Sequence, residues 1–311
     1  MPHLTNSYYL NFYGGEPLLA FDLTRKTLSI LDKINKKFKK RATYSLTTNG
    51  SLLNEDILRF LNQHKFQVEL SFDGFAQDIQ RKKGTFERMV SAINELLKYP
   101  NIDLETNSVF SSQTVHYLSK SMTFLMKLGI PNIHFSFSVL KHWDSSSLQK
   151  LNEELKKLRK ALLIHYKKHN RIPVTNFRDN HKKGIFFCAA GQDRLAISSD
   201  GQIWGCFLFP DYFKGKENSA LYQKFYFGDL EYFIRNYREV FPRISKNYAH
   251  LSMDNFSTPT VKCLLCPELE SCAVCPVNAS FSGRPLGEIP SYLCQIQRIK
   301  MRNFKMFRKD I

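Results

Sequence analysis

Cysteine is missing from residues 1–187; all seven cysteines of this 311-residue chain lie between Cys188 and Cys294. That absence rules out a disulfide scaffold for the larger part of the chain. It concentrates any thiol chemistry in one C-terminal module. Acidic residues are scarce beside basic ones, 28 Asp and Glu against 45 Lys and Arg, for a formal net charge of +17. Charge of that size favours acidic partners of any kind. Long apolar runs are absent too, so no membrane-spanning segment and no membrane partner is expected. The opening Met1-Pro2-His3-Leu4-Thr5-Asn6 lacks a basic segment followed by an apolar one. No signal peptide is read there, and a cytoplasmic location is the expectation. Low-complexity blocks are also lacking. The 43% hydrophobic content suffices for one sizeable core, or one core and a small second domain.

The densest basic run, Lys36-Lys37-Phe38-Lys39-Lys40-Arg41, follows Leu28, Leu31 and Ile34 at helical spacing. It reads as the solvated end of an amphipathic helix. No nucleic-acid motif accompanies the charge, so nucleic acid is not an expected partner.

Strand and helix signals alternate through the first half. Strands are predicted at Tyr8–Tyr13, Ala42–Thr48, Gln67–Phe72, Ile102–Phe110 and Ile133–Leu140. Helices are predicted at about 22–40, 54–64, 85–98 and 115–128. Such alternation implies parallel strands joined by crossovers, an α/β fold. Polar or glycine signals close three strands in turn: Gly14-Gly15-Glu16, Thr48-Asn49-Gly50 and Ser71-Phe72-Asp73-Gly74. Sites assemble at that edge of parallel barrels and sheets, so a small-molecule site is expected there. A long charged helix, 145–170, reads as a connector. From Gly184 short strands, turns and cysteines replace the alternation, which puts a domain boundary near residue 180.

The cysteine pattern is Cys188-x12-Gly201-x4-Cys206, then Cys263-x2-Cys266-x5-Cys272-x2-Cys275, then Cys294. A Cys-x2-Cys step lets two thiolates of one turn reach a single metal or cluster. A hairpin around Ser199-Asp200-Gly201-Gln202 would bring Cys188 and Cys206 together. Iron–sulfur ligation, zinc and disulfides compete for these residues. Zinc ribbons space their two pairs more widely than Cys266 and Cys272 are spaced. Disulfides need an oxidising compartment and leave one of seven cysteines over. Iron–sulfur ligation is the favoured reading.

The whole arrangement resembles radical S-adenosylmethionine (SAM) enzymes with a C-terminal SPASM domain, the peptide maturases. The family has x3 before the last cysteine of the middle block, where this chain has x2 before Cys275. Tyr13-Gly14-Gly15-Glu16-Pro17 resembles the family's GGE motif. Leu46-Thr47-Thr48-Asn49-Gly50 is similar to its TNG element. Leu70-Ser71-Phe72-Asp73-Gly74, followed by Asp78, Arg81 and Gly84-Thr85-Phe86, is similar to its SxDG segment. The resemblance implies a partial (β/α) barrel of TIM type missing its first strand, over residues 1–180, and a small α+β iron–sulfur domain over 181–311. It implies cofactor contacts from Gly14, Gly15, Glu16, Asn49, Ser71, Asp73 and Arg81. Glu16 would receive the SAM ammonium, Ser71 the ribose and Arg81 the SAM carboxylate. Two auxiliary [4Fe-4S] clusters are implied: an inner one on Cys188, Cys206 and Cys275, and an outer one on Cys263, Cys266, Cys272 and Cys294. The fourth inner position falls to Asp193 or stays open.

By resemblance, the activity is hydrogen abstraction from a ribosomally made peptide or protein by a 5′-deoxyadenosyl radical. Flavodoxin or ferredoxin would be the electron donor. Sulfatase-type maturases carry Asp after the second SPASM cysteine, whereas here Phe207 follows Cys206. That favours a thioether or carbon–carbon crosslink over formylglycine formation. No residue is assigned a catalytic role. The family's SAM-cleaving Cys-x3-Cys-x2-Cys loop has no counterpart in this sequence. The chain is therefore expected to be incomplete, inactive alone, and weakened in SAM binding. Its strand Tyr8–Tyr13 is expected to be an association-prone apolar edge. The competing readings are a non-catalytic iron–sulfur or peptide-binding scaffold, and a zinc-stabilised binding module.

Overall fold

The structure is a computed structural model that describes residues 6–178, 189–254, 265–272, 274–281 and 283–311. The chain divides into two compact units. One comprises Met1–Ser138, Glu153–Arg178 and Met306–Ile311; the other comprises Val139–Asn152 and Asp179–Lys305.

The first unit is built on β1 (Ser7–Phe12), β2 (Arg41–Thr48), β3 (Gln67–Ser71), β4 (Asp103–Phe110) and β5 (Asn132–Phe137). They form one five-stranded sheet in the order β1-β2-β3-β4-β5, parallel at every pairing. Helices α1 (Phe21–Phe38), α2 (Glu55–Gln63), α3 (Gln77–Gln80), α4 (Phe86–Leu96) and α5 (Leu118–Lys127) provide the crossovers. The α/β fold with parallel strands is the one expected. β5 stops at Phe137, short of the expected Leu140. There Ser138 N donates to Phe110 O at 2.8 Å, which ends the ladder.

Period-two alternation sorts the sheet into two chemistries. One face carries Leu46, Val68, Leu70, Leu104, Ile133 and Phe135, each at most 2% exposed. Helix residues such as Leu58, Leu61, Ile93 and Leu125 are also buried. Each such side chain contributes roughly 1.5–3 kcal/mol on burial. The other face is polar: Asn11 pairs in register with Ser45, Thr47 with Glu69, Glu69 with Glu105, and Ser71 with Asn107. Asn54 caps α2, its Oδ1 accepting from Ile57 N at 2.9 Å. In α6 (Ser145–His169), Leu148, Leu151, Leu155, Leu158 and Leu162 are buried at helical spacing.

The second unit holds an antiparallel sheet of β6 (Ala196–Ile197), β7 (Gln202–Trp204) and β8 (Tyr226–Asp229). Its helices are α7 (Phe209–Phe213), α8 (Ala220–Phe225), α9 (Leu230–Asp254), α10 (Pro276–Ser280) and most of α11 (Ser291–Asp310). The expected hairpin is the β6–β7 pair. Its core is aromatic: Trp204 stacks on Phe213 at 5.5 Å and meets Tyr222 edge-on at 5.0 Å. Tyr248 OH donates to Phe225 O and accepts from Gly205 N, both at 2.8 Å. A buried hydroxyl so satisfied ties α9 to the end of α8 and to the residue that follows β7. Among the described residues no helix is long and apolar enough to cross a membrane.

Candidate functional site

The carboxyl ends of β1, β2 and β3 lie side by side because the strands are parallel neighbours. After β1 the chain turns through Gly14 and Gly15. A Cβ on either glycine would meet no atom within 4 Å, so this loop stands open. Glu16 follows and ties it to β2. Its Oε1 accepts from Thr48 Oγ1 at 2.6 Å and from Leu18 N at 3.2 Å, and its Oε2 accepts from Asn49 N at 2.8 Å. Such charge-assisted bonds hold the carboxylate in place. They leave it lone pairs for a further donor. Asn49 Oδ1 accepts from Ser51 N at 2.8 Å and shapes the following turn. Gly50 is required there: its φ is +71°, and a Cβ would lie 2.8 Å from Leu70 Cδ1.

At the end of β3, Ser71 is half-buried on the polar face. Asp73 is 2% exposed. Its Oδ1 accepts from Val109 N at 2.8 Å, and Arg81 Nε donates to its Oδ2 at 2.7 Å. Arg81 is thereby fixed in direction while keeping about a third of its side chain in contact with solvent. The turn is locked further by Gln77, whose Oε1 accepts from Asp73 N at 3.0 Å. Asp78 Oδ1 accepts from Thr85 N and Phe86 N, at 3.0 and 3.1 Å, where α4 begins. Gly14, Gly15, Glu16, Asn49, Ser71, Asp73 and Arg81 therefore share one sheet edge. Asp73 lies beneath Arg81 and serves as its support.

Sequence reasoning missed Gln77 and Glu105, and named Thr48 only as part of its motif, without its bond to Glu16. Thr48 belongs to its motif and Gln77 adjoins Asp78, but spacing alone does not show which groups they bind. Glu105 sits on the polar face in a cavity of about 310 Å³ that Tyr9, Asn11, Thr47, Glu69 and Asn132 also line. Burial, and then the Glu69 carboxylate beside it, push the Glu105 carboxyl up to about 7. Strand alternation points Glu105 to that face, but the register that sets Glu69 next to it is a tertiary fact.

Cys206 lies two residues past the end of β7, and Cys206, Cys266, Cys272, Cys275 and Cys294 are half-buried with no disulfide among them. Cys188 and Cys263 lie outside the described residues. Among the described residues no three His, Cys, Asp or Glu side chains gather as for one metal ion. Asp193 N donates to Ala189 O at 3.3 Å within the turn before β6.

The donor sets suit the groups that the resemblance implies. A carboxylate after β1 and a guanidinium after β3 complement the ammonium and carboxylate of an amino acid such as the methionine part of SAM. Half-buried cysteines outside any disulfide are the residue type that ligates a sulfide cluster, but among the described residues they are not gathered around one point.

Residues 5–111 match the Radical SAM superfamily. An uncharacterized protein of Methanocaldococcus jannaschii is 28% identical over 66% of this chain and 70% of its own length. A cysteine-type anaerobic sulfatase-maturating enzyme of Clostridium novyi is 31% identical over 40% of this chain and 34% of its own length. The radical SAM cyclopropyl synthase TigE of Paramaledivibacter caminithermalis is 24% identical over 66% and 44%. The chain thus spans less than half the length of these last two relatives. In fold, it matches anSMEcpe with bound AdoMet at a TM-score of 0.74 and 20% identity, covering 99% of this chain and 86% of that one. Streptococcus suis SuiB bound to its precursor peptide SuiA matches at 0.56 and 16% identity, covering 93% and 65%. Over residues 5–111 the chain is thus similar to the radical SAM domain, and its relatives include anaerobic sulfatase-maturating enzymes and a radical SAM cyclopropyl synthase.

Proposed function

We propose that this chain is the SAM-binding and auxiliary-cluster part of a cytoplasmic peptide maturase. SAM and the iron–sulfur clusters supply the radical and electron-transfer chemistry when bound. Glu16, with the open backbone at Gly14 and Gly15, receives the ammonium of SAM, and Arg81, braced by Asp73, receives its carboxylate. Ser71 and Asn49 flank the nucleoside. The polar sheet face, with Thr47, Glu69, Glu105 and Asn107, lies beyond them. Cys188, Cys206 and Cys275 hold an inner cluster; Cys263, Cys266, Cys272 and Cys294 hold an outer one. The substrate is a peptide side chain. Phe207, half exposed after Cys206, favours crosslink formation over formylglycine formation, and a cyclopropyl synthase among the relatives supports that choice. A flavodoxin or ferredoxin supplies electrons.

The observation that carries this reading is the Asp73–Arg81 pair beside the Glu16–Asn49 clasp, on three adjacent parallel strand ends. The test is anaerobic reconstitution followed by metal, sulfide and SAM-binding analysis. About eight irons per chain with matching acid-labile sulfide are expected for two cubanes. Arg81→Glu should weaken SAM binding at least about tenfold, since it places like charge against a carboxylate. A zinc-only protein, or SAM binding indifferent to Arg81→Glu, overturns the proposal.

A further inference from the structure

Thr48 is the last residue of β2. It follows Tyr44 and Leu46 on the buried face of the strand, where a hydroxyl without partners is costly. Thr48 is 2% exposed, and its hydroxyl is matched on both sides. Gly50 N donates to Oγ1 at 3.0 Å, and Oγ1 donates to Glu16 Oε1 at 2.6 Å. The Gly50 bond uses the hydroxyl as acceptor, so its one proton is directed at Glu16. On the carboxylate, Oε1 accepts from both Thr48 Oγ1 and Leu18 N, whereas Oε2 accepts only from Asn49 N. All three donors are neutral. Among the described residues no lysine, arginine or histidine pairs with Glu16, in a chain with 45 Lys and Arg. The half-buried carboxylate therefore keeps its charge uncompensated, and Oε2 keeps capacity for a cationic donor.

We propose that Thr48 is a positioning residue of the SAM site: it fixes the Glu16 carboxylate so that Oε2 meets the ammonium of the methionine part. The proposal rests on the reading that Glu16 receives that ammonium. Thr48 is buried and acts through Glu16. The Gly50 bond adds a second consequence. The loop after β1 and the turn after β2 hold each other through one hydroxyl, so Glu16 and the turn that carries Asn49 are set together. Valine at this position keeps the shape but leaves Glu16 Oε1 and Gly50 N each short of a partner. The carboxylate then loses its shortest bond, and its orientation with it.

The experiment is equilibrium binding of SAM and of 5′-methylthioadenosine to the full chain after anaerobic reconstitution. The second ligand keeps the nucleoside and the sulfur and lacks the amino-acid part. Thr48→Val and Thr48→Ala should each weaken SAM binding by about tenfold, the order of one charge-assisted hydrogen bond. Methylthioadenosine should bind them as it binds the wild type. Thr48→Ser keeps the hydroxyl and should bind both ligands as the wild type does. In a Glu16→Gln background, Thr48→Val should cost no further SAM affinity, because the one acts through the other. Equal losses for the two ligands overturn the positioning role and leave Thr48 a support of the turn. So does unchanged SAM binding, or a thermal melt in which both Thr48→Val and Thr48→Ala fail to fold. Wild-type SAM affinity in Glu16→Gln alone removes the reading of Glu16, and the inference with it. A wild-type chain that binds neither ligand removes the SAM reading itself.

Discussion

Glu105 faces Glu69 across the β3–β4 pair, and the consequence is a titration inside the working pH range. Its carboxyl, 4.5 in the unfolded chain, rises to about 7 in the fold. Between those values the folded state holds the proton that the unfolded state has lost, so stability falls as pH rises. Below 4.5 both states are protonated and the residue contributes nothing to the pH dependence. Above 7 the penalty is complete. Solvent at its exposed edge limits it to about 1–2 kcal/mol. Glu105→Gln should therefore stabilise the chain by about that amount at pH 8 and by much less at pH 5. Urea unfolding at the two pH values measures this; an equal effect at both removes the explanation. Asp73 illustrates the same scale differently. The motif reading placed it among cofactor contacts, whereas the structure buries it beneath Arg81 and Val109 N. Residue type and order were legible there. The direction of the carboxylate was not, because it depends on a strand 36 residues away.

At the scale of elements, the parallel strands were legible because alternation and turn signals coincide. Observed ends fall within a few residues of the expected ones, and β5 ends earlier than expected. The Asp73-Gly74 turn was also legible, but not what presses on it. Gly74 has φ +57°, and a Cβ there would lie 2.5 Å from Ser121 Cβ on α5. Turn and helix are therefore packed backbone to side chain, with Ser121 Oγ accepting from Phe75 N at 3.0 Å. Gly74→Ala should destabilise the chain by about 2–4 kcal/mol through backbone strain and overpacking. Adding Ser121→Gly relieves the overpacking but removes the acceptor of Phe75 N and sets glycine inside α5, so little of the loss should return in a thermal melt. No loss in the single variant would mean that the turn is free to move away from α5.

For the molecule as a whole, β1 pairs only with β2 among the described residues. Tyr9 on it is 58% exposed. An exposed apolar edge strand is a template for another chain. Tyr9→Lys should therefore lower the association state seen by light scattering at moderate ionic strength, where the net charge of +17 repels less. A wild-type chain that is already monomeric and monodisperse removes this expectation.

By itself the sequence determined the alternation of strands and helices, the order of the three polar strand ends, and the confinement of cysteine to one end. Each of these is local, set by residue period and spacing. Tertiary structure alone decided that Glu16 clasps Asn49, that Asp73 braces Arg81 and that Glu69 neighbours Glu105. Those pairings join residues distant in the chain. They exist only once apolar faces are buried and strand register is chosen, because packing, and not propensity, sets which side chains meet.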